Sequence, residues 1–388
     1  MEDFRFHLGW RTALLGAAAV QMLVLAVVLS MEPSNRTAGR LLAGALVVIA
    51  GLLTPYVIGF AGFYDAFRWL TFAPFAIPLA LGPLLYAYGH SLADGRAPPR
   101  WRLHLAAPAL QFLYFSTCFL LPLDAKWAWY TGGHRAWIAP AFDAAALVSL
   151  ATYAWALGVV LRRQGARLAD QRSDDDRFSA LWLERVRAAI LIGLTIQTGF
   201  WLWSIVTGGI DFFQETGLYL AMGVLGLYLG IAGWRHAALP VPILTAPNEA
   251  EPEAEAARAV PDWAALAAVM EQRTREAGWW REPDLALPGL ARRLGTNTGR
   301  VSRAINLGLG MNFSAFVNGL RAEGVAGVLE DRPDADLLDL AFDMGFASKA
   351  SFNRAFRARF GMAPSHYRRQ VSNPDFRRED TKLRRAAS

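Results

Sequence analysis

Apolar runs recur along the first 240 positions of the chain, separated by short polar stretches. Their length is close to the roughly 20 residues that a helix needs to cross the hydrocarbon core of a bilayer. Seven segments qualify: 8–30, 39–60, 69–90, 103–121, 137–161, 188–207 and 213–234. Positions 41–60 and 188–207 hold no charged residue at all. The third and fourth segments carry Pro74, Pro78, Pro83 and Pro108. Such prolines break an isolated helix but are tolerated in a bundle whose neighbours satisfy the freed backbone groups. The spacing therefore predicts seven transmembrane helices rather than the interior of a large soluble core.

Past position 240 the pattern changes twice. Residues 240–261 are rich in Pro and Glu with few apolar anchors, the composition of a disordered tether. Such a tether transmits a rigid rotation poorly, so a signal passing along it would act through dimerisation or local concentration. Then Asp262 is placed to cap a helix with Trp263, Leu266, Ala267 and Met270 at helical spacing. Packing on the domain that follows is the expected use of that stripe, with a dimer seam as the alternative.

From Leu287 short amphipathic helices alternate with glycine turns. Leu287, Leu290, Ala291 and Leu294 share one helical face, and Gly295 suits a left-handed stop. Thr296 is placed to cap a second helix over 298–306, with Val301 and Ile305 pointing inward. A short helix, a turn containing glycine and a second helix are the parts of a helix-turn-helix. The scheme then repeats. Ala341 stands before Gly345 as Ala291 stands before Gly295, and Phe352 and Phe356 take the places of Val301 and Ile305. Between the units, 312–329 is predicted to be a longer helix whose Phe313, Phe316, Val317, Leu320 and Val328 serve one shared core. Gly319, Gly324 and Gly327 interrupt it, each at about 1 kcal/mol relative to Ala.

The fold class expected is thus all-α: a seven-span transmembrane bundle (1–239), the linker (240–261), a soluble helical domain with two helix-turn-helix units (262–370) and a basic disordered tail (371–388). Composition agrees with the partition. Hydrophobic residues make up 54% of the 388 and charged ones 19%, with 14 Trp and 23 Phe. Lys and Arg number 17 against 11 Asp and Glu over 283–388, and such a basic excess favours a polyanionic partner. The single cysteine, Cys118, allows no intrachain disulfide and no cysteine-based zinc site. The acidic start MEDF lacks the cationic region of a signal peptide, so the first span is expected to be retained.

Flanking cations set orientation. Thirteen arginines, from Arg36 to Arg235 and including Arg177, lie after odd-numbered spans, against Arg5, Arg11, Arg68, Lys126 and Arg135 on the other side. Odd loops and the C-terminus are therefore expected in the cytoplasm, with the N-terminus outside.

Ionisable residues inside spans are few, and each is a functional candidate because burying charge in lipid is costly. Asp143, in the fifth span, suits either a cationic ligand group or a bond to Gln197. His90 and Asp94 share one helical face. The outer loop carries Trp127, Trp129, Tyr130 and Trp137, which with Asp211 and Glu215 would cap a ligand cavity or simply form an aromatic belt at the headgroups. Asp143, Trp127, Trp129 and Asp211 are the sensing candidates. No catalytic constellation, metal site or cofactor motif is evident, so a non-enzymatic protein without cofactors is expected.

The stretch GFASKASFNRAFRARFGMAPSHYRR (345–369) closely resembles the signature of the AraC-type helix-turn-helix regulators, in which a Gly-Phe turn opens the second recognition helix and Gly-x-x-Pro-x-x-Tyr-Arg closes the domain. The resemblance covers 285–369, and its combination with a multi-span front half is similar to a membrane-bound subgroup of that family in bacteria. It implies sequence-specific binding of double-stranded promoter DNA and control of transcription, without naming the inducer. The partners expected alongside, at the bacterial inner membrane, are a second copy of the chain, RNA polymerase in an activator and an unidentified small-molecule or envelope signal. Base contacts are expected from Gly299, Ser302 and Arg303 in the first recognition helix, with Arg300 nearer the DNA backbone. Ser348, Lys349, Ala350, Ser351, Asn353 and Arg354 are their counterparts in the second. Arg321, Arg357, Arg359, Arg368 and Arg369 are candidates for phosphate. Two competing functions remain open from the residues alone: a receptor or transporter whose helix-turn-helix binds protein, and a membrane enzyme.

Overall fold

A computed structural model of the chain describes residues 8–174, 181–237 and 261–372. Residues 240–260 of the expected linker, residues 373–388 of the expected tail, Arg5 and Arg177 lie outside the described residues. The chain forms two compact units. Unit one comprises 1–162 and 180–241. Unit two comprises 242–388 together with 163–179, from the loop between the fifth and sixth expected spans.

Unit one is built from α1 (Trp10–Met31), α2 (Arg36–Phe60), α3 (Phe63–Ala66), α4 (Leu81–Asp94), α5 (Ala106–Phe119), α6 (Leu123–Trp129), most of α7 (Ala139–Gln171), α8 (Leu181–Thr207) and α9 (Thr216–His236). Among the described residues, five helical runs are long and apolar enough to cross a membrane: α1, α2, the continuous run Leu123–Gln171, Trp182–Thr207 and α9. Expected spans three and four are different. Each is a helix of 14 residues preceded by a 3-10 turn, Pro78–Ala80 before α4 and Trp101–Leu105 before α5. The prolines explain the shortening. Pro78 starts its 3-10 turn, and Pro83 and Pro108 each lie in a first helical turn, where a missing N–H costs no hydrogen bond. Proline thus marks where these helices begin.

The core of unit one centres on Leu15, Met22 and Leu29 of α1, which pack with Leu42, Leu46 and Leu53 of α2. Helix α9 joins them through small residues. A Cβ on Gly233 would lie 2.2 Å from the side chain of Leu42, and one on Gly230 would lie 2.8 Å from Leu25. Small residues allow close approach of this kind at a helix–helix contact.

Unit two contains α10 (Trp263–Glu276), α11 (Leu287–Arg293), α12 (Thr298–Arg303), α13 (Phe313–Asp331), α14 (Leu337–Asp343), α15 (Lys349–Phe360) and α16 (Pro364–Ser372). The expected single core is in fact two. Phe313, Phe316, Val317 and Leu320 of α13 pack with Ala267 and Met270 of α10, Leu290 of α11 and Val301 of α12. The later residues Ala322, Val325, Ala326 and Leu329 pack with Leu340, Phe346, Phe352 and Phe356. Val328 is only half-buried, at the edge of this second core. The stripe on α10 therefore packs on its own unit. Gly324 has a packing role: a Cβ there would lie 2.5 Å from the ring of Trp280.

Candidate nucleic-acid interface

The two halves of unit two repeat one turn atom for atom. In the first, Gly295 has φ of +66°, and the N–H of Thr296 donates to Ala291 O at 3.0 Å. In the second, Gly345 has φ of +90°, and the N–H of Phe346 donates to Ala341 O at 3.0 Å. This is the six-to-one bond of a helix ending on a left-handed residue. The spaces around the two glycines differ. A Cβ on Gly295 meets nothing within 4 Å, whereas one on Gly345 would fall 2.3 Å from Arg281 O.

Each following helix then starts on a side-chain cap. The carboxamide of Asn297, not Thr296, accepts from Arg300 N at 2.7 Å. Ser348 Oγ accepts from Ser351 N at 3.1 Å. Thr296 is unsuited because its position is spent on the turn, which leaves the next residue to cap. Helix α12 is also shorter than expected, continuing as a wider π-helical turn over Ala304–Gly308.

Between the turns and the buried Val301, Ile305, Phe352 and Phe356, the remaining positions of α12 and α15 sort by exposure. Arg300, Lys349, Ala350, Arg354 and Arg357 are exposed, and Gly299, Ser302, Arg303 and Asn353 are half-buried. Ser302 Oγ accepts from the Asn306 amide at 3.3 Å, and Asn353 Nδ2 donates to Lys349 O at 2.9 Å. The guanidinium of Arg303 lies over the Trp263 ring at 5.7 Å. Ser351 is a correction: it is buried, and its hydroxyl donates to Ser348 O at 2.8 Å, so it closes the helix start and presents nothing to a base.

Among the phosphate candidates, Arg357 and Arg369 are exposed and Arg368 is half-buried. Arg359 pairs with Glu323, which also takes Arg275 at 2.6 Å. Arg321 leaves the set. It is fully buried, donating through Nε to Trp280 O at 2.8 Å and through its terminal nitrogens to Asn318 Oδ1, Glu282 O and Ser173 Oγ. Ser173 itself donates through N and Oγ to Leu285 O at 3.1 and 2.8 Å, beside an antiparallel bridge between Arg172 and Ala286. Residues 172–174 thus form part of unit two, bracing the entry to α11 against α13. No local pattern signals this, because the partners of Arg321 lie up to 148 positions away.

The sensing candidates do not form one cluster. Asp143 lines a cavity of about 410 Å³ within unit one, together with Gln197. Trp127 lies beneath the Arg68 guanidinium at 5.5 Å, and Trp129 Nε1 donates to Tyr114 OH at 3.0 Å. Asp211 is exposed, and its Oδ1 accepts from Gln214 N at 2.7 Å in a local turn. His90 and Asp94 meet at 3.4 Å, as their spacing predicts. Sequence reasoning missed Gln111, His134, Tyr56 and Tyr219, which line the cavity with Asp143. They come from separate helices, and only Gln111 carried a signal, as an amide inside an apolar run.

A family model described as a helix-turn-helix domain matches residues 290–370. It supports an AraC-type domain and a DNA-binding, transcription-regulating role for this part of the chain. Comparison with curated proteins and with solved structures gave no match.

Proposed function

We propose that the protein is a sequence-specific DNA-binding transcription regulator held in a bacterial inner membrane by seven crossings, with its N-terminus outside and its helix-turn-helix units in the cytoplasm. The observation that carries the reading is the repeated turn: Gly295 and Gly345 each end one helix and launch another whose outer face is basic. Two such helices joined by α13 suit major-groove segments one helical turn apart, roughly 34 Å. Arg303 and Arg354 are the residues assigned to guanine edges, with Arg300, Lys349, Asn353, Gly299 and Ser302 around them. Arg357, Arg368 and Arg369 supply phosphate contacts. The five long apolar helices and the cation asymmetry support the membrane part, with α4 and α5 as two shorter crossings. A homodimer on DNA, and RNA polymerase as partner of an activator, belong to the same reading. The segment at 172–174 supports a route for the signal, since it is part of unit two and continuous in sequence with α7.

Footprinting tests this with the full chain in membranes, because a fragment beginning after the linker lacks Ser173. Each lost bidentate base contact costs about 1–3 kcal/mol, so the Arg303→Ala/Arg354→Ala double variant is expected to bind its promoter at least about 30-fold more weakly while keeping salt-sensitive nonspecific binding. A wild-type chain that protects no specific genomic site overturns the proposal.

A further inference from the structure

The cavity in unit one has a wall whose chemistry selects a ligand. Its volume of about 410 Å³ is within the range of small-molecule sites, roughly 300–1,000 Å³. Most of the lining is aliphatic, and it includes one carboxylate, Asp143, with no Lys or Arg. Asp143 is exposed, so its oxygens are open to an incoming group. A second acid stands just behind the wall, where Glu215 accepts a hydrogen bond from the lining residue Tyr56. His134, whose Nδ1 lies 2.9 Å from Tyr114 OH, does not balance these charges near neutral pH, because burial holds its imidazole below the usual histidine value.

Two amides, Gln111 and Gln197, also line the space, and the first has a donor to spare. Gln111 is only 1% exposed, and its Oε1 accepts from Leu79 N at 3.2 Å, which fixes the amide. Its Nε2 has no partner. A buried amide N–H without an acceptor costs about 1–3 kcal/mol, so the site is incomplete until something supplies one. Tyr56 and Tyr219 line the same cavity stacked on one another, with Phe212 also stacked on Tyr56, and Phe115 and Phe142 supply further rings to the wall. Aromatic faces attract cations.

We propose that this cavity binds a small organic cation with an apolar body and a carbonyl or hydroxyl acceptor. The cation is held by Asp143 among the aromatic rings, and the acceptor is met by Gln111. The inference rests on the sensing role proposed above and names the ligand class for it.

Equilibrium dialysis of the full chain in lipid nanodiscs, against empty nanodiscs, tests it with three probes. These are butyrylcholine, its uncharged isostere 3,3-dimethylbutyl butyrate, and butyrate. The expected result is saturable retention of butyrylcholine at least tenfold tighter than either other probe. Asp143→Asn should abolish that preference while the variant retains 3,3-dimethylbutyl butyrate as the wild type does, which shows that the cavity is intact. Equal retention of charged and uncharged probes, or a preference unchanged by Asp143→Asn, overturns the proposal. Absence of a footprint in the wild type sinks the regulator reading but leaves the dialysis result interpretable by itself.

Discussion

The two units solve the problem of specifying helices by opposite means. In unit one, α1, α2, α4, α5 and α9 begin without a side-chain cap, and large apolar residues such as Val148, Trp155, Val206 and Val224 face outward. In unit two, Asp262, Asn297, Asn312, Asp336 and Ser348 each cap a helix through a side chain. Of the large exposed apolar residues among the described ones, only Val269, Leu307, Leu338 and Phe342 belong to unit two. A helix of seven residues in water needs a local stop and start, because short helices are marginal without them. A long apolar helix, of the kind proposed above to cross a bilayer, is delimited by its length, and its backbone is satisfied internally wherever it runs. Unit two is thus specified by single atoms at turns, and unit one by composition and close packing.

That contrast can be broken most severely at the turns. Gly345→Ala meets both the left-handed cost, about 1–2 kcal/mol, and a backbone oxygen with no room to move, so a loss of roughly 3 kcal/mol or more is expected once overpacking is added. Gly295→Ala, in open space, carries the first term alone. Hydrogen exchange across 290–370 in the full chain measures both, and equal losses would show that the matched turns do not differ as their surroundings require.

A smaller effect is expected at Ser173. Ser173→Ala removes the hydroxyl that links Leu285 O to Arg321, leaving buried polar groups short of a partner at about 1–3 kcal/mol. Exchange should quicken near 281–290 and around Arg321, with unit one unchanged. If those amides keep wild-type protection, residues 172–174 contribute nothing to unit two.

The smallest effect is electrostatic. Amide N–H groups of Asp339 and Leu338 hold the Asp336 carboxyl below its usual 3.8. Its folded value is lower than its unfolded one, so its stabilisation is complete above the unfolded value and is lost as pH falls through the folded one. Thermal melts of unit two are expected to drop as pH decreases below about 4, with a shallower drop in Asp336→Asn. Identical pH profiles for the two would remove the cap from the account.

Much of this organisation was legible in the residues. Gly295 and Gly345, the inward Val301, Ile305, Phe352 and Phe356, and the apolar lengths of α1, α2 and α9 are local signals, read within one or two turns of chain. The expected reach of spans three and four failed for an equally local reason, since proline in a first turn favours a helix start and a window of mean hydropathy ignores that. Arg321 and Ser351 failed differently. Each has the residue type and helical position of a DNA contact, and each is buried by groups that the helix itself does not contain.

What the amino-acid sequence determined alone was therefore whatever depends on neighbours along the chain: helix type, turn chemistry, apolar length and the sign of charge on each stretch. Only the tertiary structure decided which of those residues face outward. It split the expected core of the helical domain at α13, drew Ser173 to Arg321, and gathered Gln111, Tyr56 and Asp143 around one cavity. The physical reason is that burial and hydrogen-bond satisfaction are properties of groups brought together in space, and separations of a hundred residues or more leave no periodic trace in the chain.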